Sequence, residues 1–137
     1  MIKTVCNIIG AVFVLAGLIG FFAPGLAGLH LSTVHNLIHL ASGAAALYFG
    51  LSATLSAARL FGIVFGAVYL LLGLVGFLLG TPGTPTMAGM AADSRLFKLI
   101  PGVLELGTVD HLFHLLGGIV FLGAALLTKP NGGLSRD

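Results

Sequence analysis

The chain has 137 residues, of which 58% are hydrophobic and only 7% are charged. Soluble domains carry about 25% charged residues, so this composition excludes a water-soluble globular domain and favours a protein dissolved in lipid. Six basic and four acidic residues give a formal net charge of +2 without a long run of one sign. That balance excludes a nucleic-acid partner.

Four apolar stretches follow one another along the chain, each close to the 20 or so residues that a membrane-spanning helix needs. They cover residues about 5–22, 34–55, 60–79 and 109–127. We therefore expect an all-α fold, a polytopic membrane four-helix bundle that occupies the whole chain, 1–137, as a single membrane domain.

The second half of the chain repeats the first. Residues 10–21 match residues 66–77 at their Gly, Ala, Val and Phe positions, and residues 31–40 match residues 106–115 at Thr, Val, Leu and His positions. The sequence thus predicts two tandem helical-hairpin repeats, over residues 1–56 and 57–128. A removable signal peptide would not match a retained internal helix, so we expect the first helix to stay in the protein. Both repeats enter the membrane in the same direction, which places equivalent residues at equal depth.

Basic residues near the helix ends predict the orientation of the bundle. Lys3, Arg59, Lys129 and Arg136 all fall on one side, and short positively charged segments stay cytoplasmic. We expect both termini, including the tail at 128–137, to be cytoplasmic.

The longest connection, residues 80–108, falls on the outer side. Its Thr-Pro-Gly-Thr-Pro-Thr segment breaks helices. Residues 94–100 alternate loosely between polar and apolar and favour a short interfacial helix. A surface loop is the simplest interpretation, and a lid or docking surface is the alternative.

Small residues recur at helix-packing spacing, as in Gly62 with Gly66 and Ala16 with Gly20. Such pairs let helix backbones approach where lipid supplies no hydrophobic drive. The glycine-rich faces predict a tight bundle, with some faces available for self-association or for another membrane subunit.

Ionisable side chains cluster at the outer starts of the second and fourth helices. His35 and His39 are four residues apart, as are Asp110 and His114, and residues at this spacing share one helix face. If Thr33 and Thr108 cap the helices, His39 and His114 each lie one helical turn further in. They are then about 6 Å deeper than His35 and Asp110.

An ionisable side chain inside the membrane faces the bundle interior and needs a partner. Four interpretations of these residues remain open, and they differ in what that partner is. The imidazoles can hydrogen-bond neighbours and fix the bundle. They can bind zinc or another divalent metal through His35, His39, Asp110 and His114. His39 and His114 can be axial ligands of a haem or chlorophyll. The same histidines can also form a proton pathway.

No nucleophile with its base, metalloprotease motif or dinucleotide fingerprint occurs in the sequence, so we expect no catalytic activity. The first functional hypothesis is an accessory or scaffold subunit of a membrane complex that binds a metal or cofactor. The alternative is a small transporter or channel component with an outer vestibule lined by His and Asp.

The paired hairpins and three local motifs also carry a resemblance. The motifs are His-Asn-Leu-Ile-His-Leu at 35–40, Arg-Leu-Phe-Gly-Ile-Val-Phe-Gly at 59–66 and Asp-His-Leu-Phe-His-Leu-Leu-Gly at 110–117. With them, nearly the whole chain resembles the bacterial domain-of-unknown-function family 4383. The resemblance implies a four-helix protein of the bacterial inner membrane and implies no activity.

Overall fold

A computed structural model describes residues 1–87 and 89–129. Its main elements are four α-helices, namely α1 (Ile2–Gly20), α2 (Thr33–Leu51), α3 (Leu55–Leu79) and α4 (Thr108–Leu127). The predicted tail beyond residue 129 lies outside the described residues. The four helices agree with the expected helical architecture, whereas the expectation of an all-α fold is incomplete because three short strands form a sheet.

Three of the helices, α1, α3 and α4, are long and apolar enough to cross a membrane. Helix α2 has the length, at 19 residues, but its first half carries polar side chains. His35, Asn36, His39 and Ser42 lower its mean hydropathy, and the first three of them are buried inside the bundle.

Backbone contact at glycines joins the helices into two hairpins, α1 with α2 and α3 with α4. A Cβ added at Gly10 would lie 3.0 Å from the carbonyl oxygen of Gly43, and one added at Gly66 would lie 3.0 Å from that of Gly118. Gly10 and Gly66 occupy equivalent positions in the two repeats. The hairpins therefore pack through the same contact.

An aromatic column fills the space between the hairpins. Ring centroids are 4.4 Å apart for Phe49 and Phe61, 4.7 Å for Phe61 and Phe65, and 4.6 Å for Phe65 and Tyr69. The column starts near the end of the bundle that holds Met1, which we call the terminal end. It runs towards the opposite end, which we call the loop end.

A small antiparallel sheet covers the loop end. It consists of β1 (Thr81–Gly83), β2 (Asp93–Ile100) and β3 (Leu104–Leu106), with β2 in the middle. The prediction of an interfacial helix over residues 94–100 is wrong, since these residues form β2. Alternation with a period of two places successive side chains on opposite faces of a strand, and Leu96 is accordingly buried between exposed Arg95 and half-buried Phe97.

The predicted caps are also displaced by one residue. Ser32 caps α2, and its Oγ accepts a hydrogen bond from the backbone N–H of His35 at 3.2 Å. At α4 the cap position is Gly107. Thr108 is the first helical residue, and its N–H and hydroxyl both donate to Asp93 instead.

The glycine contacts predict opposite effects of alanine at two neighbouring positions. At Gly118 a Cβ would lie 2.5 Å from the Leu70 nitrogen, whereas at Gly117 it would meet open space. Gly118→Ala should lower the free energy of unfolding by about 1–3 kcal/mol because the α3/α4 backbones must separate. Gly117→Ala should leave it unchanged or raise it by up to about 1 kcal/mol, because alanine favours the helix. Unfolding in mixed detergent micelles measures both values, and equal effects would contradict the packing.

Candidate functional site

Three buried histidines gather near the loop end of the bundle. His35 and His39 come from α2 and His114 from α4, and one potential ligand nitrogen from each lies within 4.8 Å of the others. The ring centroid of His35 is 4.3 Å from that of His39 and 5.9 Å from that of His114. We call these three residues the histidine triad. Three imidazoles in this arrangement could hold a metal ion.

Aromatic side chains at equivalent repeat positions contact the deeper pair of imidazoles, His39 and His114, in different geometries. Phe13 stacks on His39 with centroids 5.3 Å apart, and Tyr69 meets His114 edge-on at 5.2 Å. Phe13 and Tyr69 are equivalent positions of the two repeats, and they stack on each other at 5.2 Å. The end of the aromatic column therefore forms the floor of the triad.

The third imidazole, His35, is oriented by the loop that precedes α2. Its Nδ1 lies 2.8 Å from the backbone carbonyl oxygen of His30. A carbonyl oxygen only accepts, so Nδ1 carries the proton and Nε2 keeps a free lone pair. Histidines that bind metals commonly donate their second ring N–H to a carbonyl in this way.

Three ring nitrogens of the triad are buried without a hydrogen-bond partner in the described part of the chain. They are His35 Nε2, His39 Nδ1 and His114 Nδ1. An unpartnered polar atom in a protein interior costs about 1–3 kcal/mol. Within the described residues, only Nδ1 of His35 among these three imidazoles has a hydrogen-bond partner, so the other ring nitrogens are available to a ligand.

Asp110 occupies the repeat position of His35 but plays a different part. Its carboxylate accepts hydrogen bonds from the backbone N–H groups of His30, at 3.1 Å, and Gly107, at 2.7 Å. Of the four predicted ligands, the structure therefore gathers three histidines, while Asp110 holds the connecting loops to the start of α4.

His30, which the sequence did not single out, links these two parts. Its carbonyl orients His35, its N–H binds Asp110, and its ring Nδ1 lies 3.3 Å from the Asp110 carboxylate. That carboxylate raises the pKa of His30 against the opposing effect of burial. No spacing in the sequence predicted this role, because it depends on the path of the loop.

The remaining histidine of the two motifs, His111, supports the sheet. Its Nε2 lies 2.8 Å from the carbonyl oxygen of Arg95 and donates to it, and its ring packs against Gly76. Asn36 packs against Gly20 at the equivalent place in the first repeat. His111 therefore joins β2 to the bundle and lies outside the triad.

Glu105 stabilises the turn between the strands. Its buried carboxylate accepts hydrogen bonds from the N–H and hydroxyl of Thr86, both at 2.7 Å, and from the N–H of Gly102 at 2.9 Å, with the Lys98 ammonium at 3.4 Å. Burial alone would raise the pKa of Glu105, but these donors outweigh it and lower the pKa to about 2.

A cavity of about 290 Å³ opens beside the triad, between α1 and α4. Its polar lining comes from His39, His114 and Asp110. The apolar lining residues are Val12, Phe13, Leu15, Ala16, Ile19, Leu26, Leu29, Leu31 and Phe113. Several of them, such as Leu15 and Phe113, are exposed on the side of the bundle. The triad is therefore reached from the apolar flank of the protein.

Comparison with known proteins adds no family to these observations. No family model, curated protein or solved structure matches the chain. We therefore infer the function from the geometry of the triad and its surroundings.

The lowered pKa of Glu105 predicts how the sheet responds to acid. Glutamate in an unfolded chain titrates near pH 4.5 and Glu105 near pH 2. Its stabilising effect is thus complete above about pH 4.5 and is lost as the pH falls towards about 2. ¹³C NMR of the single glutamate carboxyl should show the low titration, and Thr86→Val should move it upward because one donor is lost. Titration near pH 4.5 in the native protein would contradict the hydrogen-bond pattern.

Proposed function

We propose that this chain is a small integral membrane protein that binds one divalent first-row metal ion through His35, His39 and His114. The observation that carries the proposal is the triad itself, in which three buried imidazoles offer ligand nitrogens within 4.8 Å of one another. Each of the three imidazoles also has a buried ring nitrogen without a hydrogen-bond partner in the described part of the chain, which favours a ligand at this site.

Zinc suits this set of ligands. Zn–N bonds of about 2.0–2.1 Å put the nitrogens of a tetrahedral site about 3.3 Å apart, so small ring rotations would close the triad around the ion. Nitrogen ligands also accept cobalt, nickel or copper, with affinities that follow the usual order for divalent metals. Three protein ligands leave a fourth coordination position, as in zinc sites that bind an exogenous molecule.

A tetrapyrrole between His39 and His114 has less support. The ring of His35 lies beside the rings of His39 and His114. Phe13 packs on His39, and Tyr69 packs on His114. These neighbours occupy the space into which a macrocycle would have to enter.

A transport or proton pathway across the chain also has less support. The route from the triad to the terminal end is filled by the aromatic column of Phe49, Phe61, Phe65 and Tyr69. Ion and proton pathways need polar or ionisable groups along their length. A site near the loop end with an apolar column behind it favours binding over translocation.

We further propose that all four helices cross the bilayer, with α2 crossing by virtue of its contact with α1. The resemblance to the bacterial domain-of-unknown-function family 4383 supports a bacterial inner membrane, and the basic residues support cytoplasmic termini. Because the sequence contains no known catalytic motif, we assign the chain the part of an accessory subunit whose exposed helix faces meet other membrane proteins or a second copy.

Metal analysis of protein purified in mild detergent tests the binding. We expect about one equivalent of added Zn²⁺ or Co²⁺ to be retained by the native chain. His39→Ala or His114→Ala should weaken binding by at least about tenfold, since even outer-shell changes cost that much. His111→Asn is the matched control. It removes a histidine outside the triad and introduces the residue found at the equivalent position of the first repeat, Asn36. A native protein that folds and binds neither metal would overturn the proposal.

Replacement of Asp110 separates a three-histidine site from a site with a fourth ligand from the protein. Asp110→Asn keeps an oxygen that can accept from Gly107 or His30, so we expect the protein to fold and to bind metal with nearly native affinity. A loss as large as that of His39→Ala would contradict a site that needs only the three histidines.

A further inference from the structure

The cavity beside the triad has the chemistry of a site for a molecule that arrives from the bilayer. It lies between α1 and α4, and its walls are almost wholly apolar apart from His39, His114 and Asp110. Leu15, Ile19 and Phe113 contribute to the walls and are also exposed on the flank of the bundle. Its volume of about 290 Å³ is near the lower end of the range for small-molecule pockets.

The charge of a bound metal decides which kind of molecule would be held. Three neutral imidazoles leave a divalent ion with its full positive charge in apolar surroundings, where an unpaired charge is costly. Asp110 is the carboxylate that lines the cavity, among the residues the structure describes, and its oxygens already accept from His30 and Gly107. The fourth coordination position therefore favours an anionic oxygen ligand.

We infer that the cavity binds a single-chain aliphatic carboxylate, such as a free fatty acid, with its head on the metal and its chain along the α1/α4 groove. The inference rests on the proposed metal site. The apolar lining accommodates a hydrocarbon chain, and the head reaches the ion beside His39 and His114. The Asp110 carboxylate balances one of the two positive charges of the ion, so a neutral amphiphile would leave the other without a counter-charge. A short carboxylate would leave the apolar walls empty.

The test uses the full chain in detergent, loaded with Co²⁺ so that the visible absorption of the ion reports its ligands. Decanoate should change the cobalt spectrum at concentrations at least tenfold below those at which acetate does so, and 1-decanol should leave it unchanged. Equal potency of acetate, or an equal response to decanol, would overturn the inference.

Two phenylalanine variants show whether the chain enters this cavity. Ala16 lines the cavity, whereas Ala11 lies on an exposed face of α1 and is not among its lining residues. Ala16→Phe should still bind one Co²⁺ per chain, but at least tenfold more decanoate should be needed to change its cobalt spectrum. Ala11→Phe should match the native protein in Co²⁺ binding and in its response to decanoate. Retained response in Ala16→Phe places the carboxylate elsewhere and overturns the inference. Ala16→Leu, a smaller obstruction, replaces it if the phenylalanine variant fails to fold.

Failure of the two proposals gives different results. A native protein without stoichiometric Co²⁺ contradicts the metal site itself. Normal Co²⁺ binding with a spectrum insensitive to decanoate contradicts only the carboxylate.

Discussion

Direct contact between helix backbones at glycine is the interaction on which the other features of this protein depend. Lipid gives apolar helices no hydrophobic reason to associate, so their association relies on close packing. Gly10 against Gly43 and Gly66 against Gly118 bring the backbones together at the same level in both hairpins. This contact sets the register of α2 on α1 and of α4 on α3, and the register decides how deep His39 and His114 lie.

Divergence between the two repeats turns a symmetric scaffold into an asymmetric site. The deeper position is a histidine in both repeats, His39 and His114. Each imidazole contacts the aromatic side chain at the same repeat position, Phe13 or Tyr69. The shallower position carries His35 in one half and Asp110 in the other. His35 joins the triad, whereas Asp110 accepts backbone hydrogen bonds from the loops.

The loop end combines two kinds of structure with separate tasks. The segment before α2 orients His35 through the carbonyl of His30. The sheet is attached to α4 by polar contacts, because Asp93 accepts from Thr108 and His111 donates to the carbonyl of Arg95. These contacts use no nitrogen of the triad, so the sheet is fixed to α3 and α4 without occupying the ligand atoms of the three histidines.

By itself the sequence determined the helical architecture, because long apolar stretches have few other solutions in lipid, and the internal repeat identified equivalent positions. The four-residue spacing also placed His35 beside His39, since that spacing is local to one helix. Only the tertiary structure decided that His35 joins His39 and His114 while Asp110 accepts backbone hydrogen bonds from the loops. That choice depends on the carbonyl and N–H of His30, which reach the helix starts through a loop whose path no periodicity encodes. The tertiary structure also decided that strands form between residues 81 and 106. A short alternation of polar and apolar residues forms a strand only where another strand lies beside it to pair with.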